Sequence, residues 1–239
     1  MPPLPEPLAH ALSGTAPDRP PKRERTRRQL LQAAVEALSV HGVAGTTIQE
    51  IARVAGMAPA TVYNHFRTRE ELLEALAVTL AQSLNDQIVR SYQHIDDGAQ
   101  RMSIGIRRSL WLARESPAWT LLVMELALAF PQINEIAKPY SLADLRLGQT
   151  QGRFKAGDEE AAIDLVFGSC SRAMMRIALG QIPDVDRYMH ELASMLLCAL
   201  GMPNGDALEV IARPLPPFVK PARDEAQHPR RGRRQPLNP

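Results

Sequence analysis

Cysteine is scarce. Cys170 and Cys198 are the only two in 239 residues, far apart and in no CxxC pair. A disulfide framework and a structural zinc site are therefore not expected, and both read as reduced core thiols. An excess of one charge is also lacking: 28 Lys and Arg against 26 Asp and Glu leave a formal +2. Any nucleic-acid partner must then be argued from where basic residues sit, not from their total. No hydrophobic run is long. The most apolar stretch, Trp119 to Phe130, is broken by Glu125, and it is shorter than the ~20 residues a bilayer span needs. The Pro-rich first residues contain no apolar core segment, so neither a secretory signal nor a membrane partner is expected, and the cytoplasm is the expected location. GxGxxG, Walker A, HExxH, GxSxG and clustered His/Cys ligands are missing. Gly168-Ser169-Cys170-Ser171 lies inside a helical pattern and is no nucleophile elbow. No catalytic residue, metal or cofactor is expected. Strand-like alternation is absent too, which points to an all-α chain.

What is present is helical punctuation, densest from Thr46 to Leu73. Thr47 and Glu50 have capping-box spacing, and so do Thr68 and Glu71. Ile48, Ile51, Ala52 and Ala55 line one helical face. Gly56 follows, where a tight turn needs a residue without a Cβ. Pro59 suits the first position of a second short helix, reaching about Phe66. Two short helices joined by a turn at Gly form the helix-turn-helix pattern. Upstream, Leu30, Leu31, Ala34, Val35 and Leu38 predict a helix from about Arg25 to Val40, ending at His41-Gly42. It should share a small core with Ile48, Ile51, Val62 and Phe66.

This stretch resembles the DNA-binding end of the tetracycline-repressor (TetR) family of bacterial transcription regulators. The matching residues are Thr46-Thr47, Ile51-Ala52, Ala55-Gly56, Thr61, Val62-Tyr63, His65-Phe66 and Arg69 through Leu73. The resemblance implies that the second short helix lies in the major groove. Val62 and Phe66, four apart, face the core, so Tyr63 points away and can donate to a phosphate oxygen, as can His65. Thr47 would meet a phosphate at a helix N-terminus, and Arg69 would clamp the far backbone; plain capping and exposure are the alternatives. Arg25, within the basic run Lys22 to Arg28, reads either as part of an arm on the DNA or as a solvated helix start. Ala58-Pro59-Ala60 departs from the common pattern, which has a Ser cap and a polar or basic residue. None of the three side chains can hydrogen-bond a base edge, so direct readout would rest on Thr61, Asn64 and apolar contact with thymine methyls.

Downstream, a helix from Glu70 to about His94 carries Leu72, Leu73, Leu76, Leu80, Leu84 and Ile88 and links the two halves. Helices follow at Ala99 to Glu115, Trp119 to Phe130 (apolar nearly all round, hence central), a short one around Ile133 and Ile136, and Ser141 to Phe154. The last two, 158–179 and 185–200, resemble the family's dimerisation element, ordinary intra-chain packing being the alternative. Small residues at Gly168, Ser169 and Ala173 suggest the close approach of another helix.

Many prolines and no periodic apolar pattern read 1–21 as disordered. The resemblance implies a three-helix DNA-binding domain at 22–68 and a helical effector-binding and dimerisation domain at 69–202. A Pro/Arg-rich disordered tail follows at 203–239, with Arg230, Arg231, Arg233 and Arg234 either adding non-specific DNA affinity or merely solvated. The implied partners are double-stranded DNA, a second copy of the chain and a small-molecule effector. Met102, Trp111, Trp119, Met124, Glu125, Phe130 and Tyr140 are the candidate effector-lining residues, each equally readable as core or surface. The expected function is a ligand-responsive repressor on a palindromic operator. An all-helical enzyme with a regulatory DNA-binding end, and a regulator governed by a protein partner with a filled core, are the competing readings.

Overall fold

The computed structural model describes residues 21–218. The segment 1–20 and the arginines at 230–234 lie outside them. All regular structure among the described residues is helical: α1 Lys22–Gly45, α2 Ile48–Ala55, α3 Pro59–Tyr63, α4 Arg69–Tyr92, α5 Gly98–Glu115, α6 Pro117–Ala129, a 3-10 turn Pro131–Ile133, α7 Lys138–Thr150, α8 Glu159–Ala178, α9 Val185–Ala199 and α10 Asn204–Ala212.

Helix α1 runs past Val40, and its one break is Gly42 at φ 67° and ψ −178°, a conformation only glycine adopts freely. Both expected capping boxes form on one side only. Thr47 accepts from the Glu50 N–H at 3.2 Å and Thr68 from the Glu71 N–H at 3.1 Å. The glutamates do not return to their cap residues: Glu50 turns to His41 and Arg53, and Glu71 accepts from the Arg67 N–H at 2.7 Å.

Two large cores lie along the described residues, with a small third cluster of Ile88, Tyr92 and Ile104. The first holds Leu30, Leu38, Ile51 and Val62 of α1–α3 and Phe66 just after α3, together with Leu72, Leu73, Leu76 and Leu80 of α4. It is closed from the other half of the chain by Trp119, Leu122 and Leu126 of α6 and by Ile133. The second joins α5, α7, α8, α9 and α10 through Met102, Ile106, Leu145, Ile163, Val166 and Leu197.

Three expectations need correction. The chain does not become irregular at 203. Ala207, Val210 and Ile211, at helical spacing, bury the inner face of α10 against α5 and α9. Nor is the tail free from Arg213. The Arg107 guanidinium donates to the Arg213 carbonyl at 2.8 Å, and Arg108 donates to the Pro216 carbonyl and lies 4.0 Å from the Phe218 ring centroid. Helix α6 is central only in part: it packs on α1, α4, α5, α8 and the 3-10 turn, but one stripe stays open, with Leu128 79% exposed and Glu125 facing solvent. An apolar composition all round does not bury every face of a helix. Pro139 sits in the first turn of α7, where a missing N–H costs nothing.

Candidate nucleic-acid interface and interior cavity

The first site is built on the turn between α2 and α3. Gly56 adopts φ 64° and ψ 32°, and the Met57 N–H closes the turn on the Ala52 carbonyl at 2.9 Å. Val62 and Phe66 are sealed in the core, which fixes the rotation of α3. Ala58, Pro59, Ala60, Tyr63 and Asn64 are consequently exposed, with Tyr63 half open to solvent, while Thr61 and His65 are half-buried at the rim. Ala58 provides no side-chain cap. The outer face of α3 thus presents methyl and pyrrolidine carbons flanked by a phenol and an amide. Thr47 is exposed at the α2 N-terminus, and Arg23 and Arg25 are exposed on the first turn of α1. Arg27 is different: its guanidinium lies 5.1 Å from the Phe66 ring centroid.

Arg69 is committed inward. Its guanidinium donates to the carbonyls of Thr46 and Val43, tying the start of α4 to the α1–α2 turn. Glu50 is held beside the same turn. The Arg53 guanidinium, and secondarily His41, keep its carboxyl down at about 2, well below the usual range.

The second site is a cavity of about 200 Å³ in the other half of the chain. Leu84, Asn85, Ile88 and Tyr92 of α4 form one wall, and Arg101, Met102, Ile106 and Ser109 of α5 another. Val123, Ile133 and Ile136 close the side towards the first core, and Tyr140, Asp144, Phe167 and Cys170 close the rest. Most of this surface is apolar, with a polar cluster at one end. Asp144 is only 5% exposed, and its Oδ2 accepts from the Tyr92 hydroxyl at 2.9 Å. Its Oδ1 is 3.8 Å from Arg101 Nη1. Burial raises the Asp144 carboxyl to about 6, against opposing effects of the Tyr92 bond and the Arg101 charge. Burial likewise pushes the Cys170 thiol up to about 12, so it is an inert part of the wall.

Of the effector candidates named from sequence, Met102 and Tyr140 line this cavity. The other five do not. Trp119 is sealed in the first core and Phe130 packs against it. Trp111 faces Phe218 with ring centroids 6.0 Å apart. Met124 is half-buried outside the lining, and Glu125 is exposed. Sequence reasoning missed Asn85, Tyr92, Arg101 and Asp144. A signal existed for two of them: Tyr92 extends the Leu84–Ile88 stripe by one turn, and Asp144 shares a helical face with Leu145 and Gly148.

With this geometry established, the sequence matches two family profiles: "Bacterial regulatory proteins, tetR family" over residues 30–76 and "Tetracyclin repressor-like, C-terminal domain" over 97–213. The chain belongs to the TetR family. It is therefore a DNA-binding transcriptional regulator, of a family that is not enzymatic. Among curated relatives, the regulator TtgR of Pseudomonas putida is 35% identical over 74 residues, 31% of this chain and 35% of that protein. The chain thus spans about a third of that regulator's length. Solved structures extend the likeness. RolR, crystallised with resorcinol, superposes with a TM-score of 0.67 at 28% identity, covering 83% of this chain and 98% of RolR. FadR from Bacillus subtilis, in complex with stearoyl-CoA, has a TM-score of 0.61 at 19% identity over 71% of this chain and 96% of FadR, which shows the shared fold alone. As in the sequence reading, no single helix among the described residues is long and apolar enough to cross a membrane.

Proposed function

We propose that this TetR-family regulator is a cytoplasmic repressor that binds a palindromic operator as a homodimer and is released when a small molecule fills the cavity. One observation carries the ligand-responsive part. Helix α4 is shared: Leu72 to Leu80 belong to the DNA-binding core, and Ala81 to Tyr92 wall the cavity on the next turns of the same rod. Ile133 also belongs to both. A molecule that fits the cavity better in one tilt of α4 must bias the position of α3 by its differential affinity for the two tilts.

The dimer part is supported by the outer faces of α8 and α9. Leu165, Leu179 and Met195 are 46%, 50% and 65% exposed there. Gly168 has nothing within 4 Å of where a Cβ would stand. The close approach that its small size invites must therefore come from outside this chain. Two copies of α3 would then sit about 34–36 Å apart, one helical turn of DNA. Arg25, Thr47, Tyr63 and His65 serve as phosphate contacts that set register. Arg69 acts through the turn it holds. Bases are read by Thr61, Asn64 and the carbon surface of Ala58, Pro59 and Ala60, so replacing operator thymines with uracil should weaken binding at the contacted positions.

The test is selection of bound DNA from a random pool, followed by binding to the selected site with and without fractionated cell extract. A palindrome and loss of binding with one fraction are expected. A lone half-site would break the dimer reading. Affinity that no fraction moves would break the ligand-responsive one. Gly168→Arg should shift the sedimenting species from dimer to monomer.

A further inference from the structure

We infer that the cavity is built for a neutral hydroxyaromatic of a single ring, whose hydroxyl donates to Asp144 at one end while its far edge accepts from Asn85. This rests on the reading of the cavity as the effector site and adds the chemistry that site selects. A space of about 200 Å³ suits one ring with small substituents.

Charge narrows the choice. Asp144 and Arg101 are the two ionisable groups of opposite sign at the polar end, with Oδ1 and Nη1 3.8 Å apart. Their charges offset one another. Arg101 Nε is taken by the Ile95 carbonyl at 2.5 Å. An anionic ligand would meet the Asp144 carboxylate beside the Arg101 charge, and an ammonium would compete with the arginine already there. A neutral molecule meets neither cost.

Hydrogen bonding narrows it further. The Tyr92 phenol donates to Asp144 Oδ2 at 2.9 Å, while the Arg101 approach to Oδ1 is too long for a hydrogen bond. Oδ1 therefore asks for a donor, and a phenolic O–H is a strong one. At the other end, Asn85 Nδ2 is buried without a partner. Asn85 and Tyr92 lie on the same helix, about 10 Å apart along its axis. One ring between two hydrogen bonds spans that distance. The lining also includes Ile88, Met102, Ile106 and Phe167, which supply aliphatic, thioether and aromatic partners for the faces of a flat ring. Because Asn85 belongs to α4 and Asp144 to α7, a ligand bridging them ties α7 to the helix shared with the DNA-binding core.

The experiment is calorimetric titration of the full chain with phenol, resorcinol, toluene, benzoate, benzylamine and decanoate, with release of selected operator DNA read in parallel by fluorescence anisotropy. Phenol should bind at least tenfold more tightly than toluene, since a hydrogen bond to a charged group is worth about tenfold or more in affinity. Resorcinol, with a hydroxyl for each end, should bind more tightly than phenol, and benzoate, benzylamine and decanoate more weakly. Asp144→Asn should weaken phenol about tenfold and leave toluene unchanged. Asn85→Leu should remove the advantage of resorcinol over phenol. Thermal melts of both variants check that they fold. Toluene binding as well as phenol, a preference for any of the charged probes, or no binding by either hydroxyaromatic overturns the inference. The regulator reading fails separately: hydroxyaromatics that bind but do not release DNA would leave the ligand class standing and remove the repressor mechanism. Release by decanoate without hydroxyaromatic binding would do the reverse.

Discussion

The two halves of this molecule solve opposite packing problems with the same material. The DNA-binding end closes tightly on itself. Leu30, Leu38, Ile51, Phe66 and Leu76 are almost wholly excluded from solvent, and α6 is brought in to seal the last side. The other half builds a comparable apolar framework from α5, α7 and α8 yet leaves a hole beside α4 and places a buried carboxyl at its rim. The first arrangement holds a small surface, the outer side of α3, in one orientation. The second keeps a space and an unmet hydrogen-bonding demand, both of which an occupant can satisfy. Rigidity at one end and incompleteness at the other are what a switch joined by one helix requires.

The largest way to break this comparison is to open the closed end. Phe66→Ala should lower unfolding free energy by about 3–5 kcal/mol, because it empties a sealed site and removes the ring under Arg27; urea denaturation measures it. A loss below 1 kcal/mol would mean that this core is no tighter than the other.

Next comes the buried acid. The folded value of Asp144 is about 6, above its ordinary 3.8, so its ionised form costs stability, fully above pH 6 and not at all well below pH 4. The protein should therefore become more stable, relative to Asp144→Asn, as pH falls from 6 towards 4. At pH 7 the Asn variant should be the more stable by at most about 3 kcal/mol. Melting curves of the pair across pH 4–7 give the answer, and parallel curves would show that the site is not under this tension.

Added volume sharpens the contrast. Ala34→Leu, at a fully buried position of α1, should cost about 1–3 kcal/mol. Ile136→Phe, which grows into the cavity, should change stability by less than about 1.5 kcal/mol while abolishing effector response. Equal costs would mean that the cavity is no larger in solution than an ordinary packing defect.

The smallest effect is at the DNA face. Ala58→Ser supplies the missing α3 cap and should stabilise by about 1 kcal/mol, visible as a rise in denaturation midpoint. It should also alter base preference, since it puts a hydroxyl on a surface that is now all carbon.

The helix-turn-helix was legible because each of its signals is local. Thr47 caps, Gly56 turns, Pro59 starts, and Val62 with Phe66 set one face; none of these depends on a distant residue. Helix α10 was readable on the same terms, from the spacing of Ala207, Val210 and Ile211, but the prolines and arginines around it masked the pattern. The cavity residues were less accessible. Aromatic and sulfur-bearing side chains were the natural candidates, yet Trp119 and Phe130 serve the first core and Trp111 meets the chain at Phe218. What a large apolar side chain touches is decided by which helices cross above it.

The sequence by itself therefore determined the helices, their caps and turns, and the orientation of α3 relative to its own small core, since these follow from contacts within a few residues or a few turns. Only the tertiary structure decided where space was left over, that Tyr92 and Asp144, 52 positions apart, would share a proton-donating bond, and that α6 would keep one apolar side in the open. Those outcomes depend on how whole helices stack, and the free energy of stacking is spread over many weak contacts that no single stretch of residues contains.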